Sequence, residues 1–233
     1  MLEVDQNLTI GLVQNSSADN YLNWIADLCL PYLGTEVLEI GAGIGDFTSR
    51  FAPGRKIHAT EVSETSLQSL RQLYGDDERV DISVLDIYQQ HDRVYDSVVL
   101  INVLEHMEDD VRALEALRTF VRTGGNIVLY VPAFWSLYSN HDYLIGHYRR
   151  YRKKELVWLM KQAGFDIVSA KYVNSVGAIG WFLICRVLRR RASEGASVGL
   201  MNRMVIPVIR KIESRLSPPF GISVFIVGKR REQ

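Results

Sequence analysis

Short apolar runs alternate with longer amphipathic segments through most of the chain. Between residues 35 and 132, each apolar run is rich in Val, Ile or Leu and is bounded by Gly, Pro, Asp or Asn. This alternation predicts βαβ units and therefore a parallel sheet. Five strands are predicted in this stretch, over residues 36–40, 56–61, 80–85, 97–101 and 126–131.

Helical patterns lie between these runs and beyond them. Ser63 is placed to cap a helix that ends at Gly75, and the acidic residues 108–110 begin another helix that a Gly-Gly pair ends. An amphipathic helix over 18–30 precedes the first strand and is placed to cover a pocket. The later predicted elements are a helix over 153–163, a strand over 165–173, a helical insertion over 174–219 and a final strand over 220–229.

Composition and charge narrow the class of protein. The chain has 233 residues, of which 47% are apolar and 23% charged, and this composition excludes disordered, collagen-like and coiled-coil proteins. Its net charge is zero, which argues against a dedicated nucleic-acid-binding protein. Residues 1–147 hold 9 basic and 22 acidic residues, whereas residues 148–233 hold 18 basic and 5 acidic ones. We therefore expect the two parts to meet different partners.

The cysteines and the N-terminus bear on location. Cys29 and Cys185 lie in apolar stretches and match no metal-binding or redox spacing, so we predict reduced thiols, no bound metal and a cytoplasmic protein. The acidic N-terminus does not resemble a secretory signal. The longest uncharged run, residues 172–185, has 14 residues and is too short to span a bilayer.

A glycine-rich turn follows the first predicted strand, which ends near Glu39. Gly41, Gly43 and Gly45 stand in a G-x-G-x-G pattern that opens a helix. Glycines there allow a tight turn and a close approach of the backbone to a ligand, and the helix N-terminus offers free amides. Asp46 stands where the dinucleotide fingerprint has its last glycine, and with Glu39 it would repel a pyrophosphate. The pattern favours a cationic or zwitterionic ligand.

Two further acidic residues close the next predicted strands. Glu61 lies 20 residues after Gly41, where a carboxylate would bind the hydroxyl groups of a ribose. Asp86 follows the third strand and is placed to accept a hydrogen bond from an adenine amino group. Each could alone be a solvated acid, but acidic groups at the ends of three successive strands indicate a nucleoside site.

Residues 21–173 resemble the class I S-adenosylmethionine-dependent methyltransferases, specifically their bacterial small-molecule group. Residues 39–45 match the E-x-G-x-G-x-G element of that family, Glu61 its ribose-binding acid, Asp86 its adenine-side acid, and residues 101–110 the segment after its fourth strand. The resemblance implies an α/β fold, a Rossmann-like doubly wound sheet of seven strands whose last strand is reversed. The cofactor-binding residues it implies are Glu39, Gly41, Ala42, Gly43, Gly45, Glu61, Val62, Asp86, Ile87, Asn102, Val103, His106 and Tyr21.

The whole chain, residues 1–233, is expected to form one methyltransferase domain that contains four functional segments. Residues 1–34 are expected to form an N-terminal helical lid, 35–132 the cofactor-binding core, 133–152 an acceptor loop and 174–219 a helical insertion or lid. The implied cofactor is S-adenosylmethionine, and the implied product is S-adenosylhomocysteine. Because its sulfonium already activates the methyl group, the protein mainly has to align an acceptor and exclude water.

A general base is needed only for an acceptor that starts protonated. Three histidines are candidates for this base: His106, which the resemblance places beside the cofactor, and His141 and His147 in the loop after the fifth strand. For His106, a positional role in the first helical turn is an equal alternative.

The segment 135–156 concentrates histidines, tyrosines and arginines, and a related bacterial group has a similar H-D-x-x-x-G-H-x-R-R-Y pattern. Arg149 and Arg150 are predicted to bind a carboxylate or phosphate of the acceptor. The alternative is a structural loop in which His141 or Asp142 caps a turn and both arginines are solvated. The residues predicted to bind the acceptor are Trp24, Tyr138, Tyr148, Arg149, Arg150 and Trp181.

The insertion combines apolar helical patterns with basic residues. A hydrophobic lid folded over the pocket is the favoured interpretation, and interfacial helices at a membrane surface are the alternative. Pro207 interrupts or begins the second of these helices.

Together these features predict methyl transfer to a small-molecule acceptor, anionic or apolar, in a biosynthetic role, with oxygen preferred over nitrogen or carbon. Two alternatives stay open: a lipid-linked acceptor at a membrane surface, and a non-catalytic protein that keeps the nucleotide-binding fold. Asp46 disfavours a dinucleotide oxidoreductase. Nucleic-acid methylation is disfavoured because INVLEH, with no Pro-Pro-Tyr or Pro-Cys motif, follows the fourth strand.

Overall fold

The apolar runs of the sequence become the strands of one mixed sheet. The computed structural model describes residues 19–183, 199 and 201–232. The strands are β1 (Glu36–Ile40), β2 (Lys56–Thr60), β3 (Val80–Ser83), β4 (Tyr95–Ile101), β5 (Val121–Pro132), β6 (Phe165–Val173) and β7 (Ser223–Arg230). Their order in the sheet is β3-β2-β1-β4-β5-β7-β6, and β7, between β5 and β6, runs opposite to the other six strands. The predicted seven-stranded sheet with a reversed last strand is thus confirmed.

Eight α-helices lie within the described residues and largely follow the predicted pattern. Ser63 caps the helix Glu64–Tyr74, its side chain accepting a hydrogen bond from the Ser66 amide, and Asp109 caps the helix Asp110–Phe120 by accepting from the Arg112 amide. Short 3₁₀ turns follow β4 at Leu104–His106 and β5 at Trp135–Leu137. The helices are α1 (Asp19–Cys29), α2 (Thr48–Phe51), α3 (Glu64–Tyr74), α4 (Asp110–Phe120), α5 (Asn140–Leu144), α6 (Lys153–Gln162), α7 (Ser175–Trp181) and α8 (Ile206–Glu213).

Both faces of the sheet are covered, because successive side chains of a strand point to opposite faces. On β4, Val98 and Leu100 belong to one buried cluster and Val99 to another. The first cluster includes side chains of α4 and α6, and the second includes side chains of α1, α2, α3 and α8. Strands that are buried on both faces explain why the central runs are continuously apolar.

The largest differences from the predicted strand boundaries are at the starts of β5 and β7. β5 begins at Val121, directly after α4, because this β-branched residue pairs with Tyr95 across an irregularity in the β4–β5 ladder. β7 begins at Ser223 rather than at 220. Phe220 is exposed, and any side chain at Gly221 would collide with the Val173 carbonyl oxygen, so the chain crosses β6 closely before pairing begins.

The described part of the insertion packs on the N-terminal helix. Pro207 lies in the first turn of α8, which directly follows a π-helical turn over Met201–Val205, so this proline stands where the π-helical turn changes to the α-helix. The Asn202 side chain accepts a hydrogen bond from the Tyr21 amide at 3.0 Å, and Arg210 pairs with Asp27 on α1. The sequence patterns at residues 1–18 and 184–198, with Cys185, lie outside the described residues.

The helices of the described segments are too short or too polar to cross a bilayer.

Candidate active site

The loops that carry the predicted site residues meet at one edge of the sheet. Ile40 at the end of β1 pairs with Thr60 on β2 and Leu100 on β4, and Thr60 pairs with Ser83 on β3. Parallel strands in this register end side by side. The segments after β1, β2, β3, β4 and β5 therefore open at a single edge, where ligands bind in open α/β sheets.

The glycine turn after β1 packs closely against the neighbouring loops at this edge. Gly41, Gly43 and Gly45 have φ angles of +68°, +58° and +90°, which L side chains rarely adopt. A Cβ atom at Gly41 would lie 2.5 Å from Cγ2 of Val103, in the loop after β4. The Ala42 amide donates to the Thr60 carbonyl at 3.0 Å, which holds the turn against β2. The glycines therefore let the chain turn close to the loop after β4, at the sheet edge where ligands bind in this class of fold.

Glu61 holds the next loop in place. One carboxylate oxygen accepts from the Gly43 amide at 2.9 Å, and the other accepts from the amides of Val62 and Ser63 at 2.7 and 3.1 Å. A carboxylate has about four acceptor positions, so one is left for a ligand hydroxyl group. Val62 is 80% exposed and offers an apolar face next to this acid. An acid beside an exposed apolar side chain fits the ribose and base of a nucleoside.

Glu39 lies buried behind the glycine turn. Thr48 donates a hydrogen bond to its carboxylate at 2.7 Å. Burial raises the pKa of Glu39 to about 8, with the Thr48 hydrogen bond acting in the opposite direction. This carboxyl group supports the turn from within.

Replacing Glu39 with glutamine is expected to stabilise the protein at alkaline pH. The folded-state pKa lies above the unfolded value of 4.5, so the native state loses stability as the pH rises from 4.5 to about 8. Glu39→Gln should raise the free energy of unfolding by a few kcal/mol at pH 8.5 and leave it nearly unchanged near pH 4. Urea denaturation at both pH values measures this, with Glu36→Gln at the exposed start of β1 as control. An equal effect at both pH values would contradict the assignment.

The loops after β3 and β4 carry the other residues that were predicted to contact the cofactor. Asp86 accepts hydrogen bonds from the Tyr88 amide at 2.9 Å and the Gln89 side chain at 3.2 Å, while Ile87 is buried beside it. Asn102 has a φ angle of +53° and donates its amide to the Tyr130 carbonyl at 2.7 Å. The predicted contacts of Asp86, Ile87 and Asn102 with the cofactor stay predictions.

A second polar cluster lies where the loops after β4 and β5 meet. Glu105, in the 3₁₀ turn after β4, is 0% exposed, and neither carboxylate oxygen has a hydrogen-bond partner among the described residues. One of these oxygens lies 3.7 Å from Nε2 of His147, and the His106 ring lies edge-on to the His147 ring at 4.6 Å between centroids. Nδ1 of His147 lies 2.8 Å from Asp142. Two of the three predicted base candidates, His106 and His147, thus lie in contact with each other and next to a buried acid.

Burial controls the charges in this cluster. It raises the pKa of Glu105 to about 8, and burial with the nearby His147 lowers the pKa of His106 to about 4. Burial would also raise the pKa of Asp142, but hydrogen bonds from His147 and Arg150 outweigh it and hold this pKa below its ordinary range. Near neutral pH, His106 is a neutral imidazole and Asp142 a carboxylate.

Asp142 is the centre of the loop after β5. It accepts from the Ser139 amide and hydroxyl at 2.9 and 3.0 Å, and from two nitrogens of Arg150 at 2.7 and 3.0 Å. Arg150 is 7% exposed, so the alternative in which it is solvated is wrong. Arg149 pairs with Asp110 at 2.9 Å. Both guanidinium groups have carboxylate partners within the chain, and the predicted binding of an acceptor anion there stays a prediction.

The other predicted acceptor residues fall into two places. Tyr138 donates to the His147 carbonyl at 2.7 Å, and Trp181 lies against both Arg150 and His141, with 5.2 and 5.6 Å to its ring centre. Tyr148 is exposed in the same loop.

The aromatic residues of α1 lie apart from this loop. Trp24 is 4% exposed and belongs to the buried cluster between α1 and the sheet. Tyr21 points to β5, with its hydroxyl 2.9 Å from that of Tyr130. Sequence reasoning did not single out Glu105, and it gave Asp142 only as an alternative turn cap, which the capping box with Ser139 confirms, without its contacts to His147 and Arg150. The signal that could have found them was an acid next to His106 and another five residues before His147.

Seven strands with a reversed last strand, closed by an acidic and glycine-rich turn after β1, define a class I methyltransferase fold. Residues 38–127 match the family model described as "Methyltransferase domain". A ubiquinone biosynthesis O-methyltransferase of Acinetobacter baylyi is 28% identical over 113 residues, which are 46% of this chain and 47% of that protein. The chain thus spans about half the length of the curated relatives it matches.

Solved structures share the fold at low sequence identity. A chain in a complex of the Haloferax volcanii Trm112 methyltransferase activator with a putative methyltransferase has a TM-score of 0.66 at 15% identity, covering 99% of this chain and 98% of that one. An S-adenosylmethionine-dependent methyltransferase of Clostridium acetobutylicum has a TM-score of 0.60 at 10% identity, covering 91% and 92%. Residues 38–127 are thus similar to a methyltransferase domain, and the fold is the one found in S-adenosylmethionine-dependent methyltransferases.

Proposed function

We propose that this protein transfers the methyl group of S-adenosylmethionine to an oxygen atom of a small molecule in a biosynthetic reaction. The observation that carries this proposal is the match of residues 38–127 to a methyltransferase domain, together with the Glu61 carboxylate and glycine turn at the same sheet edge. The preference for oxygen is supported by the similarity to an O-methyltransferase and by the imidazole groups after β4 and β5.

The glycine turn and Glu61 fit the cofactor in complementary ways. When bound, S-adenosylmethionine supplies a methyl group on a sulfonium, and transfer leaves the methylated acceptor, S-adenosylhomocysteine and the acceptor's proton. Glu61 would hold the ribose hydroxyl groups, and the cofactor would lie along the glycine turn that Glu61 binds at Gly43. Val62 would lie against the base.

The proton of a hydroxyl acceptor needs a group to receive it. His147 has the geometry of an oriented base, since Asp142 binds Nδ1 and Nε2 faces the Glu105 carboxylate at 3.7 Å without a hydrogen bond. His106 lies beside it as a neutral imidazole. Acceptance of this proton by one of the two imidazoles is part of the proposal, with Tyr138, Tyr148 and Trp181 as the nearby candidates for acceptor contact.

Titration of the protein with S-adenosylmethionine and S-adenosylhomocysteine tests the cofactor assignment. Glu61→Ala should weaken binding at least tenfold, about 1.4 kcal/mol, because the ribose loses its acceptor and the turn loses its anchor. Glu64→Ala, three residues later at the exposed start of α3, is the matched control. Equal affinities for both variants would remove Glu61 from the site. Binding without turnover across an acceptor screen would favour the non-catalytic alternative.

A lipid-linked acceptor at a membrane surface is a second candidate, which we propose from one exposed stripe on and around α8. Four apolar side chains, each four residues from the next, are more than half exposed, and Lys211 and Arg215 lie among them. This combination is typical of a helix that lies in a membrane interface. The stripe consists of Met204, Val208, Ile212 and Leu216.

Flotation with vesicles that contain anionic lipid is the test of this second candidate. The protein should rise with the vesicles at low salt, and Val208→Glu with Ile212→Glu should abolish this. Trp158→Glu, at an exposed apolar position on α6, controls for the added charge. If the protein does not move with the vesicles at low salt, the acceptor is not reached in this way.

A further inference from the structure

Glu105, His106 and His147 bring three metal-binding groups together in the loops after β4 and β5. One ligand atom from each residue lies within 4.8 Å of the others. Two imidazoles and one carboxylate are a ligand set that zinc and similar divalent ions use in catalytic sites, with a further position left open. We call these three residues the Glu105–His106–His147 cluster. Their side chains are of the types that bind transition-metal ions.

The state of Glu105 is a second and independent observation. Its side chain is fully buried, and within the described part of the chain both carboxylate oxygens lack a hydrogen-bond donor. A buried carboxyl group without partners is costly, and buried charges are normally paired or bound to a metal. The two arginines of this loop do not supply the partner, because Arg150 binds Asp142 and Arg149 binds Asp110.

The ligand orientation also fits a cation. Asp142 receives the Nδ1 hydrogen of His147, which leaves Nε2 facing Glu105 at 3.7 Å. A carboxylate that holds the far nitrogen of a histidine is the usual support of a metal-binding imidazole, and it makes that imidazole a stronger ligand.

We propose that the Glu105–His106–His147 cluster is a binding site for one divalent transition-metal ion of the zinc type. The three ligand atoms must draw together by roughly 1 Å, because zinc–ligand bonds of about 2.0–2.2 Å place tetrahedral ligands about 3.5 Å apart. Three protein ligands leave the fourth position for an acceptor oxygen. With the metal bound, the two imidazoles are ligands and not bases, and an acceptor hydroxyl made more acidic by the metal would lose its proton to solvent. Acceptor binding at the metal rests on the proposed function, whereas metal binding itself does not. The metal site departs from the sequence prediction of no bound metal.

Cobalt titration tests the site without cofactor or acceptor. The full chain, freed of metal with a chelator, should bind one Co²⁺ per chain and develop the visible absorption bands of a tetrahedral site, which Zn²⁺ then displaces. Glu105→Gln and His147→Gln should each weaken Co²⁺ binding at least tenfold. His91→Gln, at an exposed histidine that contacts Thr119, should leave binding unchanged.

The outcomes separate the metal site from the proposed function. Wild-type protein that binds no stoichiometric Co²⁺, or binding that persists in both ligand variants, would overturn the metal site. If His147→Gln does not fold, as judged by its melting curve, Glu105→Gln still decides, because it replaces a buried carboxyl group with a neutral group of equal size. Cofactor binding and turnover without Co²⁺ binding would overturn the metal alone. Co²⁺ binding without cofactor binding would overturn the proposed function alone.

Discussion

Asp142→Asn should lower the free energy of unfolding of the protein by about 3–5 kcal/mol relative to the wild type. Asp142 is 0% exposed and balances the charge of Arg150, which is itself 7% exposed. Removing one partner of a buried ion pair leaves an uncompensated charge and costs about 3–5 kcal/mol. For a chain of this size the melting temperature should fall by roughly 6–20 °C. Urea and thermal denaturation measure both quantities.

An exposed pair and a double variant are the controls for this prediction. Asp166 binds Arg231 at 2.8 Å on the surface, so Asp166→Asn should cost at most about 1 kcal/mol. Adding Arg150→Met to Asp142→Asn removes the unpaired charge and should recover more than half of the lost stability. If Asp142→Asn and Asp166→Asn cost the same, Asp142 does not organise this loop.

The function of the loop should fall together with its stability. Asp142 also binds Nδ1 of His147 at 2.8 Å and the Ser139 amide at 2.9 Å, so it sets the position of the imidazole that faces Glu105. A misplaced imidazole would impair the proposed proton transfer or the proposed metal binding, because each depends on the orientation of His147. Asp142→Asn should therefore lower the turnover rate even at temperatures where the variant is still folded.

The sheet and its cofactor edge were predictable because their signals are local. An apolar run followed by Gly41, Gly43 and Gly45 predicts a strand and a tight turn from neighbouring residues alone. The position of Glu61 follows from the strand before it. Parallel pairing then brings these ends together without any further information from the sequence.

The acceptor side was less predictable because its contacts join residues of different loops. Glu105 is buried because it lies against the loop of His147, which comes 42 residues later in the chain. From the sequence alone, an acid at the start of a helical segment is expected to point to solvent. Arg150 lies in a segment with no hydrophobic period, so its burial under Trp181 gave no local signal. Tyr21 likewise points to Tyr130 because α1 packs across the sheet.

Gly41→Ala is expected to damage both stability and cofactor binding. The φ angle of +68° adds backbone strain of about 1–2 kcal/mol for any L side chain. The new Cβ would also lie 2.5 Å from Val103, and such overpacking costs a further 1–3 kcal/mol or so. Relief of this contact must push the turn away from β4, so affinity for S-adenosylmethionine should fall at least tenfold. Urea denaturation and calorimetric titration measure the two effects.

Gly54 separates the two causes of this loss. Its φ angle is +74°, but a Cβ atom added there would have no neighbour within 4 Å, so Gly54→Ala should show the backbone strain alone and leave cofactor affinity unchanged. Val103→Ala in the Gly41→Ala background removes the clash and should restore most of the excess loss relative to Gly54→Ala. An equal cost for Gly41→Ala and Gly54→Ala would mean that the turn has room to move. The closeness of the β1 and β4 loops would then not be what shapes the cofactor site.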